Sequence, residues 1–332
     1  MRILITGGAG YCGSRLCATL LAHGHEVIVY DIMWFGCALM RRRHGLTVIS
    51  ADIRNTERFS RACERVDAVV HLACVSNDAS FELDEALSTS INLDAFEPLV
   101  VAAKHAGVKR FVYVSSSSVY GVSDAPDVRE DHPLTPLTLY NKYKGMCEPL
   151  LFKHTNDDFI GVVLRPATVC GWSPRQRLDL AVNILTNHAV NRGTITVFGG
   201  SQMRPNLHIQ DYCDAIELVL NAPHEAIQNE IFNVGYQNLS LWKIARLVSK
   251  TVLEEYPSRK FESVIACHES ADIRSYHINS DKIARVLGFV PKHTIEDAVR
   301  ELCDAFKAGM LPNSMNDDRY FNVARLKRIG VR

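Results

Sequence analysis

The segment LITGGAGYCGSRL (residues 4–16) ends a short apolar run and leads into a helix-like stretch. It contains the spacing Gly8-x-Gly10-x-x-Gly13, and Gly7 adds a second, overlapping set of glycines. Glycines permit a tight turn and a close approach of the backbone to a pyrophosphate, and the free amides at a helix start bind anions. Because the glycines lie between a predicted strand and a predicted helix, as this motif requires, we predict a dinucleotide-binding loop.

Asp31 ends the next predicted strand and indicates which dinucleotide binds. A carboxylate at that position can accept hydrogen bonds from the adenosine ribose and repels a 2′-phosphate, so it favours NAD over NADP. The basic run Arg41–Arg43 could bind a 2′-phosphate instead, although it is also typical of a solvated loop. We therefore predict NAD as the cofactor, held by Asp31 and by the loop residues Gly7, Gly10, Tyr11, Cys12 and Gly13.

Short β-branched runs alternate with longer helix-like segments through the first half of the chain. The runs are Ile3–Ile5, Val27–Tyr30, Val48–Ile49, Ala68–His71, Phe111–Val114 and Ile160–Leu164. The helix-like segments are Cys12–His23, Thr56–Glu64, Asp84–Ala106 and Leu139–Lys153. Alternation of this kind indicates βαβ units, and runs that are apolar at nearly every position fit parallel strands covered on both faces. The sequence predicts an α/β fold with a Rossmann doubly wound parallel sheet.

The alternation weakens after Pro166, which predicts a second, smaller region. Two regular segments recur there: residues 208–222, a helix expected to be N-capped by Asp211, and residues 230–235, a strand. We predict that both segments return to the first domain. The NAD-binding domain would then comprise residues 1–168 and 209–236, and a C-terminal substrate-binding lobe would comprise residues 169–208 and 237–332.

The composition narrows the class of protein. The 332 residues are 47% hydrophobic, and 37 basic side chains balance 37 acidic ones, so neither nucleic acid nor a membrane is an expected partner. Ten cysteines without a C-x-x-C pair argue against a zinc site or a disulfide framework, and no metal site is predicted. The chain has no signal-like start and no apolar run of the roughly 18 residues that span a bilayer, so we expect a cytoplasmic protein.

Four serines follow the fifth predicted strand in FVYVSSSSVYGVS (residues 111–123), and a tyrosine–lysine pair follows them. Tyr140 and Lys144 are four residues apart on a predicted helix, so their side chains share one face. A tyrosine has a reference pKa of about 10, and a neighbouring ammonium group together with the positive nicotinamide of NAD⁺ favours its phenolate form. We predict a site of proton and hydride transfer in which Tyr140 is the base and a serine hydroxyl binds the same substrate oxygen.

These motifs resemble those of the extended short-chain dehydrogenase/reductase superfamily, specifically its NAD-dependent nucleotide-sugar epimerase/dehydratase family, over most of the chain. The resemblance also rests on ADI (51–53), HLAC (71–74), Glu148, LRPATVCG (164–171) and GSQMRPNLHIQD (200–211). It implies that Ser116 is the catalytic hydroxyl beside Tyr140 and Lys144, with Ser117 as the next choice. It also implies cofactor contacts at Asp52, Ile53, Leu72, Ala73, Asn92, Tyr140, Lys144 and Pro166.

On the substrate side, the resemblance implies that Arg204 and Arg274 bind a nucleotide diphosphate through their guanidinium groups. Thr168 stands where related 4-epimerases often carry an asparagine that faces the sugar. The segment SPRQRLDLAVN is expected to line the sugar or nucleotide pocket, with Asn183 as its predicted substrate contact. Substrate contacts are therefore predicted at Ser116, Ser117, Thr168, Asn183, Arg204 and Arg274, whereas the roles of Asn77 and Asp78 stay open.

The resemblance implies an NAD-dependent epimerase of a nucleotide-diphospho-sugar that acts through a transient keto-sugar, with oxidation at C4. Related 4,6-dehydratases carry Asp-Glu directly after the active hydroxyl, where this chain has Ser117-Ser118, so dehydration is less favoured. A 4-ketosugar reductase and a dehydratase with an acid such as Asp78 are the alternatives, ahead of a non-catalytic sensor. The resemblance also implies a homodimer packed through residues 84–106 and 139–153.

Overall fold

A large parallel sheet forms the centre of the molecule. The computed structural model describes residues 1–37, 43–123, 125, 127–257, 264–268, 275 and 277–331. Within these ranges the strands are β1 (Arg2–Thr6), β2 (Glu26–Asp31), β3 (Leu46–Ser50), β4 (Ala68–His71), β5 (Arg110–Val114), β6 (Ile160–Pro166), β7 (Thr168–Cys170), β8 (Thr194–Phe198), β9 (Met203–His208), β10 (Glu230–Val234), β11 (Gln237–Ser240) and β12 (Val264–His268). Seven of them form the large sheet, in the order β10-β6-β5-β4-β1-β2-β3.

The central strands are apolar because both faces of the sheet are covered. Every residue of β4 and β5 is buried, as is every residue of β1 after Arg2. β1 lies between β2 and β4, with Ile3 beside Val27 and Ala68, and all seven strands run parallel. The order of the strands reverses between β1 and β4, so a crevice opens at their carboxyl ends. The predicted Rossmann doubly wound sheet is confirmed.

Helices cover both faces of this sheet. Within the described ranges they are α1 (Tyr11–Ala22), α2 (Thr56–Ala62), α3 (Asp78–Phe81), α4 (Glu85–Thr89), α5 (Phe96–His105), α6 (Leu139–Phe152), α7 (Ala181–Arg192), α8 (Ile209–Asn221), α9 (His224–Ile227), α10 (Leu241–Glu255), α11 (Asp281–Leu287), α12 (Ile295–Lys307) and α13 (Asn322–Ile329). The apolar residues of α1 and α8 pack on one face, and those of α2, α5 and α6 pack on the other. Hydrophobic burial on both sides therefore fixes the layered architecture.

The helix predicted over residues 84–106 is interrupted. It consists of α4, a π-helical turn at Ser90–Asp94, and α5. Within the turn, the side-chain amide of Asn92 accepts a hydrogen bond from the Val75 amide (2.8 Å) and donates one to the Val75 carbonyl (3.0 Å). The turn therefore ties this segment to the loop after β4, at the edge of the sheet where the crevice opens. Single π-helical turns of this kind are often found at functional sites.

The predicted cap of α8 is wrong. His208 is the N-cap residue, and its side chain accepts a hydrogen bond from the Gln210 amide. Asp211 lies in the first helical turn, where its carboxylate accepts hydrogen bonds from the amides of Lys292 and His293 and contacts the His293 ring at 2.8 Å. Asp211 therefore binds a distant segment of the chain, which local sequence cannot show.

The remaining strands form two small sheets outside the large one. One contains β7, β9 and β11, and the other contains β8 and β12. Apolar residues of α7, α10 and α12 form a separate core beside them. The segment at residues 230–235 supplies β10, which joins the large sheet beside β6 as predicted, whereas the domain boundaries stay predictions. Within the described ranges, no helix combines the length and the apolar character needed to cross a bilayer.

Candidate active site

A cavity of about 1100 Å³ opens at the carboxyl ends of β1 and β4. Its wall combines the loops after β1, β2, β4, β5 and β6 with the start of α6, and segments far along the chain complete it. The predicted site residues in the wall are Gly7, Gly10, Tyr11, Cys12, Gly13, Asp31, Asp52, Ile53, Leu72, Ala73, Ser116, Tyr140, Lys144, Pro166, Thr168 and Arg204. The structure thus brings most of the predicted residues to one place.

The glycine-rich loop has room for backbone only. Gly7 has a φ of +71°, and a Cβ there would lie 2.8 Å from the amide nitrogen of Ala73. A Cβ on Gly13 would lie 2.7 Å from the Cα of Gly8, so α1 could not pack against the loop. The first amides of α1 therefore reach the cavity wall without a side chain in front of them, an arrangement that fits a pyrophosphate.

Asp31 connects the end of β2 to this loop. Its carboxylate accepts hydrogen bonds from the amides of Ala9 (3.0 Å) and Met33 (2.7 Å). Burial raises the pKa of Asp31, and these two bonds oppose the effect. Because each carboxylate oxygen can accept a second bond, Asp31 can still bind a ribose hydroxyl. Nearby, the carboxylate of Asp52 is paired with Arg54 at 2.6 Å.

The four serines face in different directions. Ser115 is buried and donates to a carboxylate oxygen of Glu148 (2.7 Å). The hydroxyl oxygens of Ser116 and Ser118 lie 2.7 Å apart in the cavity wall, and Ser118 donates to the side-chain oxygen of Asn141. Ser117 is only 1% exposed, behind the wall. Ser116 is therefore the serine that combines the family position with access to the cavity, and its catalytic role stays a prediction.

Helix α6 presents Tyr140, Lys144 and Glu148 at intervals of four residues. Tyr140 and Lys144 line the cavity, and the Lys144 ammonium donates to the carbonyl of Val114 at the end of β5 (2.8 Å). This bond holds the ammonium at the end of the strand that leads to Ser116. One face of α6 therefore supplies both the predicted base and the cation that would lower its pKa.

Glu148 anchors this helix to the sheet through a buried arginine. Arg165 of β6 makes two hydrogen bonds to the Glu148 carboxylate (3.0 and 2.6 Å) and also donates to the Tyr120 hydroxyl and the Glu130 carbonyl. Burial alone would lower the pKa of Arg165, but the bonds to Glu148 outweigh burial and raise it. Both side chains of the pair are 3% exposed. The network fixes the position of α6 relative to the serine turn.

Two predicted residues lie behind the cavity wall. Within the described residues, the Asn92 side chain is bonded to the Val75 backbone rather than turned to the cavity. Asn183 is fully buried, where it accepts from the Gly171 amide and donates to the Tyr11 hydroxyl and the Arg177 carbonyl. Arg274 lies outside the described residues, as do Arg41 and Arg42. The predicted roles of Asn92, Asn183 and Arg274 stay predictions.

Three residues of this site, Ser118, Asn141 and Asn322, were not predicted, whereas Arg175 and Arg177 belong to the segment SPRQRLDLAVN that was expected to line the sugar or nucleotide pocket. Ser118 and Asn141 extend the serine turn to α6, and Arg175, Arg177 and Asn322 line the cavity from later parts of the chain. The pair of arginines within SPRQR was the usable signal in that segment, because two closely spaced cations that become buried need anionic partners. Asn322 follows no motif, and only the folded chain shows its position.

Comparison with known proteins relates this site to characterised ones. The model of the NAD dependent epimerase/dehydratase family matches residues 3–235. A UDP-glucose 4-epimerase of Bacillus subtilis (strain 168) is 30% identical over 330 residues, covering 90% of this chain and 94% of that protein. The structure of a UDP-glucuronic acid 4-epimerase from Bacillus cereus, in complex with UDP-glucuronic acid and NAD, superposes with a TM-score of 0.81 at 27% identity, covering 93% of this chain and 99% of that one.

A dehydratase is similar to the chain to the same degree. The structure of a dTDP-glucose 4,6-dehydratase from Streptomyces venezuelae with NAD bound has a TM-score of 0.83 at 25% identity, over 95% of this chain and all of that one. Epimerases and dehydratases are thus alike in overall structure, and the distinction between them depends on individual residues in the cavity.

Proposed function

The chain belongs to the NAD-dependent epimerase/dehydratase family, and we propose that it is an epimerase of a nucleotide-diphospho-sugar. The supporting observation is the composition of the cavity around Ser116. Tyr140 and Lys144 provide for proton and hydride transfer, whereas the position after Ser116 carries a buried serine instead of an acid. A serine hydroxyl cannot supply the strong acid that elimination of water needs.

The reaction proposed begins with oxidation of a sugar hydroxyl at C4. Lys144 stabilises the phenolate form of Tyr140, which accepts the hydroxyl proton and becomes a neutral phenol, and Ser116 donates a hydrogen bond to the substrate oxygen that loses this proton. NAD⁺, when bound, accepts the hydride from C4 and later supplies it back. The keto-sugar turns in the cavity before the hydride returns to its other face, and Tyr140 then gives the proton back. No atom is gained or lost, so the reaction needs no second substrate.

The substrate class follows from the relatives and from the cavity. Related proteins with UDP- and dTDP-linked sugars in their names share this fold over nearly the whole chain. Thr168 and Arg204 lie in the cavity wall, where Arg204 can bind a diphosphate through two parallel hydrogen bonds. We therefore expect Arg204, together with Arg274, to hold the nucleotide diphosphate.

One observation supports the dehydratase alternative. Asp78 lies in the cavity wall and accepts a hydrogen bond from the Thr138 hydroxyl (2.6 Å). Thr138 is the N-cap residue of α6, two positions before Tyr140. An acid is therefore available close to the reacting end of the cavity, although on a different loop from the acid that related dehydratases carry.

A mass-spectrometric screen separates these reactions. The purified protein is incubated with NAD and, one at a time, with UDP- and dTDP-linked hexoses and hexuronic acids. An epimerase gives an isomer of equal mass and leaves added NADH unconsumed, a dehydratase gives a product lighter by one water, and a reductase consumes NADH. Asp78→Asn is the matched control, because it would abolish dehydration and should leave epimerisation largely intact.

We also propose that the chain forms a homodimer through α5 and α6. Met146 on α6 is 42% exposed, and Pro98 and Pro149 add exposed apolar surface on the two helices. Burial of such surface is the usual driving force for association. Light scattering at micromolar concentration should give the mass of two chains, and a single-chain mass would contradict the proposal.

A further inference from the structure

Two buried arginines line the cavity in the segment between β7 and α7. Arg175 is 6% exposed and Arg177 is 8% exposed. The segment is fastened to the first turn of α1, because the Arg175 amide donates to the Ser14 hydroxyl (3.1 Å) and the Ser173 hydroxyl donates to the Tyr11 carbonyl (2.6 Å). The arginines therefore lie beside the helix start that follows the glycine-rich loop.

The guanidinium groups are incompletely bonded. Arg175 donates to the side-chain oxygen of Asn322 (2.8 Å) and stacks over the Phe35 ring at 3.9 Å, but its Nε has no hydrogen-bond partner among the described residues. Arg177 donates to Asp179 (2.6 Å) and Ser76 (3.3 Å), and its Nη2 likewise finds no partner within the described chain. Buried cationic donors without partners are costly unless an anion binds them.

The electrostatic effects of the two arginines support an anion beside the start of α1. Burial raises the pKa of the Cys12 thiol, in the first turn of α1, to about 12, and the charges of Arg177 and Arg175 both oppose this rise. The pKa of Arg175 is lowered to about 9 by burial and by Arg177, against the opposing charges of Asp179 and Asp31. The two cations therefore act on the space between the start of α1 and Asp31.

We propose that Arg175 and Arg177 bind the pyrophosphate of the dinucleotide, together with the first amides of α1. Each guanidinium group has one donor to spare for a pyrophosphate oxygen, and Arg175 also lacks a direct carboxylate contact among the described residues, whereas Arg177 is paired with Asp179. Asp31 is the predicted ribose-binding residue and its charge acts on Arg175, so the pyrophosphate next to that ribose is the anion that we assign to the arginines. This assignment rests on NAD as the cofactor and not on which sugar reaction the protein catalyses.

Asn322 is the positioning residue of this pair. Its side-chain oxygen accepts from Arg175, its side-chain nitrogen donates to Ser76 (2.9 Å), and its backbone amide donates to Asp179 (2.8 Å). Ser76 and Asp179 also accept hydrogen bonds from Arg177, so Asn322 contacts Arg175 directly and Arg177 through these two shared partners. Asn322 begins α13, which lies well beyond residue 235, where the family match ends. A C-terminal segment outside the family match thus holds both arginines in place.

Calorimetry with ADP-ribose tests the assignment without catalysis. Arg175→Gln and Arg177→Gln should each lower the affinity for ADP-ribose about 10- to 100-fold, the scale of charge-assisted hydrogen bonds. Adenosine, which has no phosphate, should bind each variant within about twofold of the wild type by ligand-observed NMR. Arg328→Gln is the matched control, since Arg328 is an exposed arginine of α13 paired with Asp318. Unchanged ADP-ribose affinity in both variants would overturn the proposal, as would an equal loss for adenosine.

A double-mutant cycle tests the role of Asn322. Asn322→Ala should weaken ADP-ribose binding about tenfold in the wild-type background but have little further effect in Arg175→Gln, because it acts through that arginine. Equal losses in both backgrounds would show a general structural role. If Arg175→Gln does not fold, the Arg177→Gln measurement decides the proposal, and Arg175→Lys takes its place in the cycle. A loss of affinity for UDP or dTDP with ADP-ribose unaffected would assign the arginines to the substrate instead.

Discussion

Arg165 and Arg175 are both buried arginines beside the same cavity, but their bonding differs. Arg165 donates two hydrogen bonds to Glu148 and further ones to Tyr120 and Glu130. Arg175 contacts an amide oxygen and an aromatic ring, and its Nε lacks a partner among the described residues. Burial acts on the pKa of both groups, yet the pKa of Arg165 is raised and that of Arg175 is lowered.

The difference separates a structural arginine from a ligand-binding one. The charge of Arg165 is neutralised within the protein, so it fixes α6 and with it Tyr140 and Lys144. The charge of Arg175 is not neutralised by a direct carboxylate contact in the described chain. An anionic ligand that pairs with this guanidinium group therefore gains binding free energy. The buried arginine at the Tyr140 end of the cavity is therefore paired within the protein, whereas we propose that Arg175 is paired by the bound cofactor.

The largest effect is expected on the free energy of unfolding when the Glu148–Arg165 ion pair is broken. Glu148→Gln leaves Arg165 as an uncompensated buried cation and should lower the free energy of unfolding by about 3 to 5 kcal/mol. Urea unfolding followed by circular dichroism measures this change. The exposed pair Glu57–Arg61, with side chains 77% and 73% exposed, is the control, and Glu57→Gln should cost about 0.5 kcal/mol or less. Similar losses in the two variants would contradict the structural role of the buried pair.

Removal of the Tyr140 hydroxyl should have the next largest effect, on turnover. Tyr140→Phe leaves the Glu148–Arg165 anchor intact but removes the group that accepts the proton. Turnover should fall by roughly a hundredfold or more, the usual scale for a positioned acid–base group, while the affinity for NAD changes little. Steady-state kinetics and NAD titration measure the two quantities. Full activity of this variant would remove the mechanism.

Substitution of Arg175 should have little effect on the free energy of unfolding, in contrast to loss of the Glu148–Arg165 pair. Arg175→Met keeps the contact with Phe35, so without NAD the free energy of unfolding should stay within about 1 kcal/mol of the wild type. NAD at one hundred times the wild-type Kd should stabilise the wild type by about 2.7 kcal/mol but a tenfold weaker binder by only about 1.4 kcal/mol. Thermal and urea unfolding with and without NAD test this. A large loss of stability without NAD would place Arg175 in the same class as Arg165.

The smallest effects concern the serines. Ser116→Ala removes a hydrogen bond to the reacting oxygen but not the base, so turnover should fall by less than in Tyr140→Phe, about tenfold. Ser117→Ala, behind the cavity wall, should change the unfolding free energy more than it changes KM or kcat. Kinetics of the two variants side by side decide between them. A greater kinetic loss in Ser117→Ala would shift the catalytic position by one residue.

The sequence predicted the residues that follow the strands of the large sheet better than it predicted the arginine pair. The glycine-rich loop, Asp31 and the Tyr140–Lys144 pair all lie at carboxyl ends of strands or on the next helix, where the βαβ repeat determines their position. Ser118 was missed because four successive serines look alike in sequence, and only the turn geometry shows which hydroxyls meet Asn141.

The polar contacts around Arg175 could not be predicted because they join distant segments of the chain. Ser76, Arg175, Asp179 and Asn322 meet only after the chain has folded, and Asn322 lies 147 residues from the arginine it contacts. The error at Asp211 has the same origin, since its partners Lys292 and His293 lie on a remote loop. Local sequence patterns carry no information on such long-range polar contacts.

Isotope retention shows whether the hydride returns to the sugar molecule from which it came. The nucleotide sugar identified by the mass screen is prepared with deuterium at C4 and converted by the protein with NAD present. The epimeric product is expected to keep one full equivalent of deuterium at C4, and added NADH should not be consumed. Loss of the label to water, or its appearance in released cofactor, would contradict an epimerase that oxidises and re-reduces a single sugar.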